Sequence, residues 1–166
     1  MKNQYGQQIT DLLHELNIEY REDHHEPIFS VEVEIPELPG PQIKYLLVKP
    51  KKTEHEFYLI LAHDEKHPDL KDLQAQLGTK RLTFPTSEEM SELIGVEFGS
   101  LTAASVIADK NHEITVIVDE AINRDDTIGI HPNDNSITYT IAFKDLERYL
   151  DHLGYTPRYI PLLDKE

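Results

Sequence analysis

Two stretches, Ile43-Lys-Tyr-Leu-Leu-Val-Lys49 and Glu56-Phe-Tyr-Leu-Ile-Leu-Ala62, carry the strongest strand signal in the chain. Both are short, rich in branched and aromatic side chains, and separated by a Lys- and Glu-rich turn. Outward from this pair the apolar spacing changes to that of helices. Ile9, Leu12, Leu13 and Leu16 fall at i, i+3, i+4 and i+7, a stripe closed at Asn17. Residues 19–22 read as a short strand and His24-His25-Glu26-Pro27 as a polar turn. Ser30 caps a brief helical turn over residues 31–34. Ile35-Pro-Glu-Leu-Pro-Gly-Pro41 is a loop, because three prolines and a glycine suit neither helix nor sheet interior.

On the C-terminal side, Asp69 caps a helix with Leu70, Leu73 and Leu77 inward and Gly78 just past its end. Residues 81–84 resemble a short strand. Thr86-Ser-Glu-Glu89 has the capping-box spacing and opens a helix over residues 88–94, ended by Gly95. Strands are expected at 105–108, 113–118, 127–130 and 136–141, and a last helix at 144–153 stops at Gly154. Helices and strands are interspersed without a βαβ rhythm. The expectation is one α/β domain with a mixed, largely antiparallel sheet over residues 1–154, followed by a loosely packed tail, 155–166.

Composition limits what such a domain does. At 166 residues the chain holds one domain with a real core. Sixteen Lys and Arg against thirty-one Asp and Glu give a charge of −15, which leaves no broad basic field for coating a duplex. Nucleic-acid contact is then restricted to a small local patch, such as the end of a strand. The absence of cysteine excludes a disulfide scaffold, a thiolate nucleophile and a cysteine-ligated metal. No apolar run approaches the ~18–20 residues that span a bilayer, and the N-terminus lacks a signal-peptide apolar region. A cytoplasmic protein with no membrane partner is expected.

Stock sites fall away on inspection. His63-Asp-Glu-Lys-His67 has the i, i+4 histidine pair but no glutamate directly after the first histidine, and it runs into Pro68. Asp109-x-Asn111-x-Glu113 mimics a calcium loop, yet Ile114 occupies the position that needs glycine. No metal and no cofactor are expected. Three segments are harder to read as scaffold alone. Gly129-Ile-His131-Pro-Asn-Asp-Asn135 is either a turn between strands or a polar site loop. Lys44, within an apolar strand, either snorkels from an edge or points into a cleft. Gly95-Val-Glu-Phe-Gly-Ser-Leu-Thr102 is either a plain connection or a turn whose amides cradle an oxyanion.

In this order the segments resemble the YbaK/prolyl-tRNA synthetase-associated editing domain family, and within it the free-standing prolyl-tRNA editing proteins of the PrdX or ProXp-ala type. The resemblance rests on Leu16-Asn-Ile-Glu-Tyr20, His25-Glu-Pro-Ile-Phe-Ser-Val31, Lys44-Tyr-Leu-Leu-Val-Lys49 and Asp69-Leu-Lys-Asp-Leu73. It continues through Gly78-Thr-Lys-Arg-Leu82, Glu92-Leu-Ile-Gly-Val-Glu-Phe-Gly-Ser-Leu-Thr102, Val116-Ile-Val-Asp-Glu120 and His131-Pro-Asn-Asp-Asn135.

The resemblance implies an α/β fold with a curved, mixed sheet, barrel-like in places and flanked by helices. It implies hydrolysis of the ester joining a wrong amino acid to tRNA, most typically alanine on the proline tRNA, without metal or cofactor. The partners implied are the acceptor end of that tRNA and, secondarily, prolyl-tRNA synthetase. Lys44 takes the place of the family's pocket lysine near the terminal nucleotide. Gly99, Ser100 and Thr102 take the place of the amide-bearing turn, and His131 and Asn135 that of the pocket loop.

Two departures bear on the substrate: Ala103 stands where proline is usual, and Tyr45 where asparagine is frequent. Both line the expected amino-acid pocket, so serine, threonine or cysteine esters remain alternatives, as does a non-catalytic module that binds tRNA or a synthetase. A plain acidic interaction domain is a further alternative. Lys49, Lys51, Lys52, Lys80 and Arg81 form the candidate local surface for the tRNA.

Overall fold

The two stretches of strongest strand signal are antiparallel neighbours, β2 (Ile43–Pro50) and β3 (Phe57–His63), with Lys44 opposite Ala62 and Val48 opposite Tyr58. They belong to a computed structural model that describes residues 4–25, 42–95, 100–132, 134 and 136–165. Around them the chain supplies α1 (Gln4–Glu15), β1 (Arg21–His24), α2 (Leu70–Leu77), β4 (Leu82–Thr83) and α3 (Ser87–Ile94). A 3-10 helix (Ala103–Ala108), β5 (Ile114–Asp119), β6 (Thr127–Ile130), β7 (Ile137–Ala142), α4 (Phe143–His152) and β8 (Arg158–Ile160) complete it. The expected turn over 31–34 and the proline-rich loop 35–41 lie outside the described residues.

The strands form two open sheets. One is five-stranded and mixed, in the order β4-β2-β3-β5-β8; the other is three-stranded and antiparallel, β1-β7-β6. Neither closes on itself among the described residues, so the barrel-like element of the expectation gives way to two sheets packed over a shared core. The mixed α/β class holds.

β3 explains the layering. Residues 57–62 are all buried, which requires apolar cover on both faces of the sheet. Leu47, Leu59, Leu61, Val116 and Val118 point to the larger core, shared with the three-stranded sheet, α1 and α4. Val48, Ile60, Ala62 and Ile117 point the other way, against Leu73 of α2 and against Ile160 and Leu162. Each fully buried aliphatic side chain here contributes about 1.5–3 kcal/mol relative to exposure.

The caps follow the sequence. Asp69 accepts from the Lys71 and Asp72 amides, Thr86 and Glu89 form the capping box, and Gly78 and Gly95 take the left-handed conformation at φ 69 and 66. The first strand lies two residues later than expected and takes in His24, which pairs with Ile137, and two further segments depart from expectation. Residues 105–108 are not a strand but part of the 3-10 helix. Its alanines allow close packing against α1, α3 and α4, and the Tyr149 and Tyr155 hydroxyls take the Ala104 and Val106 carbonyls. Tertiary contacts override the β-branched pair Val106-Ile107.

Residues 155–165 are integral rather than loose. β8 pairs in parallel with β5, Tyr155, Ile160 and Leu162 are buried, and Lys66 Nζ donates to the Leu162 carbonyl. The calcium-loop mimic is a structural knot. The buried Asp109 carboxylate accepts from the Glu113 and Ile114 amides and from the Tyr155 hydroxyl at 2.8–3.0 Å.

Gly6 in α1 has a reason outside its helix. A Cβ there would lie 2.4 Å from the Pro132 carbonyl oxygen, so α1 passes tightly against the loop that follows β6. Gly6→Ala would gain helix propensity yet is expected to destabilise by about 1–3 kcal/mol, because a backbone oxygen must move. Urea unfolding of the variant checks it; a gain in stability would refute the close approach.

Candidate functional site

The pleat of β2 sends neighbouring side chains to opposite faces. Lys44 shares its face with Leu46, whereas Tyr45 packs against the larger core. Lys44 opens into a cleft of about 780 Å³ between β2, the start of α2, β4 and the C-terminal segment. Leu46, Lys71, Arg81, Phe84 and Lys165 are among its walls. Both readings of Lys44 meet here: among the described residues β4 pairs only with Lys49 and Pro50, so Lys44 stands on an open edge of β2 and also lines the cleft beside it.

The charge of this cleft runs against that of the chain. Lys44, Lys71, Arg81 and Lys165 all line it, and none forms a salt bridge among the described residues. Its carboxylates are already engaged with amides. Asp69 accepts from Lys71 N and Asp72 N at 3.0 and 3.1 Å, and Asp164 from His67 N at 3.0 Å. The arrangement offers four uncommitted cations to an anionic ligand, in a chain whose net charge is −15.

Tyr45, Thr102, Ala103 and His131 sit on the other side of β2. The Tyr45 phenol donates to the Gly129 carbonyl at 2.6 Å and so ties the five-stranded sheet to the edge of the three-stranded one. Burial pushes this phenol up, keeping it protonated and a donor. The Thr102 hydroxyl lies beside it, fully buried and without a well-formed hydrogen bond among the described residues. Thr102 and Ala103 have no accessible surface, and Ser100 is half-buried. Gly99 and Asn135 lie outside the described residues.

His131 comes directly after Ile130, the last residue of β6, and contacts the Ile137 carbonyl through Nδ1 at 2.9 Å. A carbonyl only accepts, so the neutral ring carries its proton on Nδ1. Desolvation holds the His131 pKa below its ordinary value, against a smaller opposing effect of the Ile137 carbonyl; nearby His25 also lowers it, and Asp134 raises it. The unfolded chain thus binds this proton more readily than the folded one. Stability is expected to fall as pH drops below about 6.5, and His131→Gln to flatten that fall between pH 7 and 5.5, above the carboxylate range. Thermal melts across that window check it; an unchanged slope would contradict it.

The basic surface is unevenly available. Lys49 is committed to Glu89 and to the Thr53 carbonyl, and the Lys49 contact is the first cause holding the Glu89 carboxyl low. Lys51, Lys52 and Lys80 are exposed, and Lys51 N donates to the Arg81 carbonyl at 2.7 Å. That bond places the β2–β3 turn beside the cleft residue Arg81. Lys71, Phe84, Leu163 and Lys165 are lining residues that sequence reasoning did not single out. Lys71 stands within the quoted stretch Asp69–Leu73 without a role of its own, no motif marks the others, and the last two belong to a segment whose prolines 157 and 161 read as tail.

The sequence model of the aminoacyl-tRNA editing domain family matches residues 25–149. The chain belongs to that family. It is 28% identical over 161 residues to the prolyl-tRNA editing protein ProX of Acetoanaerobium sticklandii, covering 94% of this chain and 96% of that one. It is also 28% identical over 155 residues to the prolyl-tRNA synthetase associated domain-containing protein 1 of Danio rerio, covering 90% and 83%. Among solved structures, one described as a candidate trans-editing enzyme for prolyl tRNA synthetase superposes with a TM-score of 0.67 at 16% identity, covering 99% of this chain and all of that one. This editing domain carries its cationic cleft on one face of β2 and the Tyr45–Gly129 tie on the other. No helix among the described residues is long and apolar enough to cross a membrane.

Proposed function

We propose that the protein is a trans-acting aminoacyl-tRNA deacylase that hydrolyses the ester of mischarged tRNA, with alanine on the proline tRNA as its substrate. The observation that carries this reading is the Lys44 cleft, where unpaired cations converge in an otherwise acidic chain. Family membership and the ProX relative support it.

An aminoacyl ester is already activated. Hydrolysis needs water placed at the carbonyl carbon, donors for the developing oxyanion, and a proton for the ribose hydroxyl that leaves. Lys44 holds the terminal nucleotide through its phosphate or ribose oxygens. Gly99 and Ser100 supply backbone donors, and Thr102 and Ala103, both without accessible surface, act as support. Tyr45, across β2 from the Lys44 cleft, is assigned the amino-acid side of the site together with His131 and Asn135, from which proline is excluded sterically. Arg81, with Lys51, Lys52 and Lys80 beside it, holds the acceptor end, while Lys49 stabilises the turn through Glu89. Prolyl-tRNA synthetase is the protein partner this reading suggests.

A second reading, cleavage of serine, threonine or cysteine esters, draws on the unpaired Thr102 hydroxyl as a partner for a polar side chain. It requires that buried residue to become accessible, so alanine is preferred. Deacylation of proline tRNA charged separately with alanine, serine, cysteine and proline tests both. Selective loss of alanine supports the first reading, and selective loss of serine or cysteine the second. Loss of proline at an equal rate would overturn both.

A further inference from the structure

The large hydrophobic side chains left exposed among the described residues are Phe84, at 58%, and Leu163, at 55%. Both line the Lys44 cleft, together with all four of its unpaired cations. Phe84 sits just past β4, three residues from Arg81, and Leu163 is anchored opposite through its carbonyl, which accepts from Asp69 N at 2.8 Å. Surfaces that follow a single nucleic-acid strand combine these two features: cations spaced for the phosphates, and an exposed ring for the bases. A duplex would bury its bases away from such a ring, and a peptide's carboxylates by themselves would leave it uncovered. The volume suits a ligand of about one or two nucleotides.

We infer that Phe84 is a stacking platform for an unpaired base near the 3′ end of the RNA, backed by Leu163, with Arg81, Lys71 and Lys165 taking the adjoining phosphates. This rests on the reading of the cleft as the tRNA 3′-end site. It adds a positioning role for residues outside the ester-cleaving pocket. Phe84 contributes little to the fold because its ring lies mostly in solvent, so its replacement reports on binding rather than stability.

The chain has no tryptophan, so Phe84→Trp places its one tryptophan, excited selectively over the tyrosines, in the cleft. Titration with uncharged proline tRNA is expected to quench it, and the same tRNA lacking its unpaired 3′-terminal nucleotides is expected to leave it unchanged. Phe84→Ala is expected to raise KM for deacylation about tenfold with kcat changed less than about twofold, and Phe84→Tyr to restore KM. Equal quenching by the two RNAs, or an unchanged KM in Phe84→Ala while wild-type protein is active, overturns the platform and leaves the deacylase reading standing. Quenching that depends on the 3′ nucleotides, in a protein that hydrolyses no mischarged tRNA, supports the platform and overturns the deacylase.

Discussion

Lys44→Ala is expected to lower deacylation by about two to three orders of magnitude with the fold intact. The lysine opens into the cleft from a paired strand and forms no salt bridge among the described residues, so removing it takes a cation from the ligand and nothing from the scaffold. Losing a charge that holds the reacting end of the substrate in place costs on the order of 10² or more in rate. The stability change is expected to stay within about 0.5 kcal/mol. Lys44→Arg keeps the charge but alters its geometry, and should retain RNA binding better than turnover. Single-turnover rates with saturating enzyme separate the two effects. Near-wild-type turnover in Lys44→Ala would remove this lysine from the chemistry.

The second large effect belongs to the scaffold. Asp119 ends β5, is 1% exposed, and pairs with Lys66 Nζ at 2.5 Å. It also accepts from Ala121 N at 3.1 Å and Leu162 N at 3.4 Å. Asp119→Ala strands a largely buried ammonium and two amides at once, and is expected to cost about 3 kcal/mol in urea unfolding. Asp119→Asn keeps an acceptor and should cost less. Because the same carboxylate holds the segment that contributes Leu163 and Lys165 to the cleft, the alanine variant should also bind tRNA more weakly at temperatures where it remains folded. A loss below about 1 kcal/mol would contradict this account of the C-terminal segment.

What was legible in the sequence was whatever local chemistry decides. The Asp69 cap, the Thr86–Glu89 box, the left-handed glycines and the β2–β3 pair are all written within a few residues of one another. What was not legible depends on distant partners. Val106-Ile107 favours a strand until alanines and two tyrosine hydroxyls fold it into a 3-10 turn. Arg158-Tyr-Ile160 is a strand only because β5 offers a parallel edge, and flanking prolines are tolerated at such ends.

The candidate site shows the same division. Lys44 stood out as a cation in apolar sequence, and the alternation of β2 placed it opposite Tyr45, as any strand would. The cleft itself is assembled from α2, β4 and a C-terminal segment far apart in sequence, so its charge and its exposed Phe84 had no local signature.

Cleavage of the aminoacyl ester and mere holding of the tRNA leave different products. Proline tRNA carrying labelled alanine is mixed with excess protein, and free alanine and intact tRNA are followed over time. The expected result is stoichiometric release of alanine with the tRNA unbroken, and no release from the same tRNA carrying proline. Tight binding of the alanyl tRNA with its ester left intact would contradict the account and make this fold a binding module.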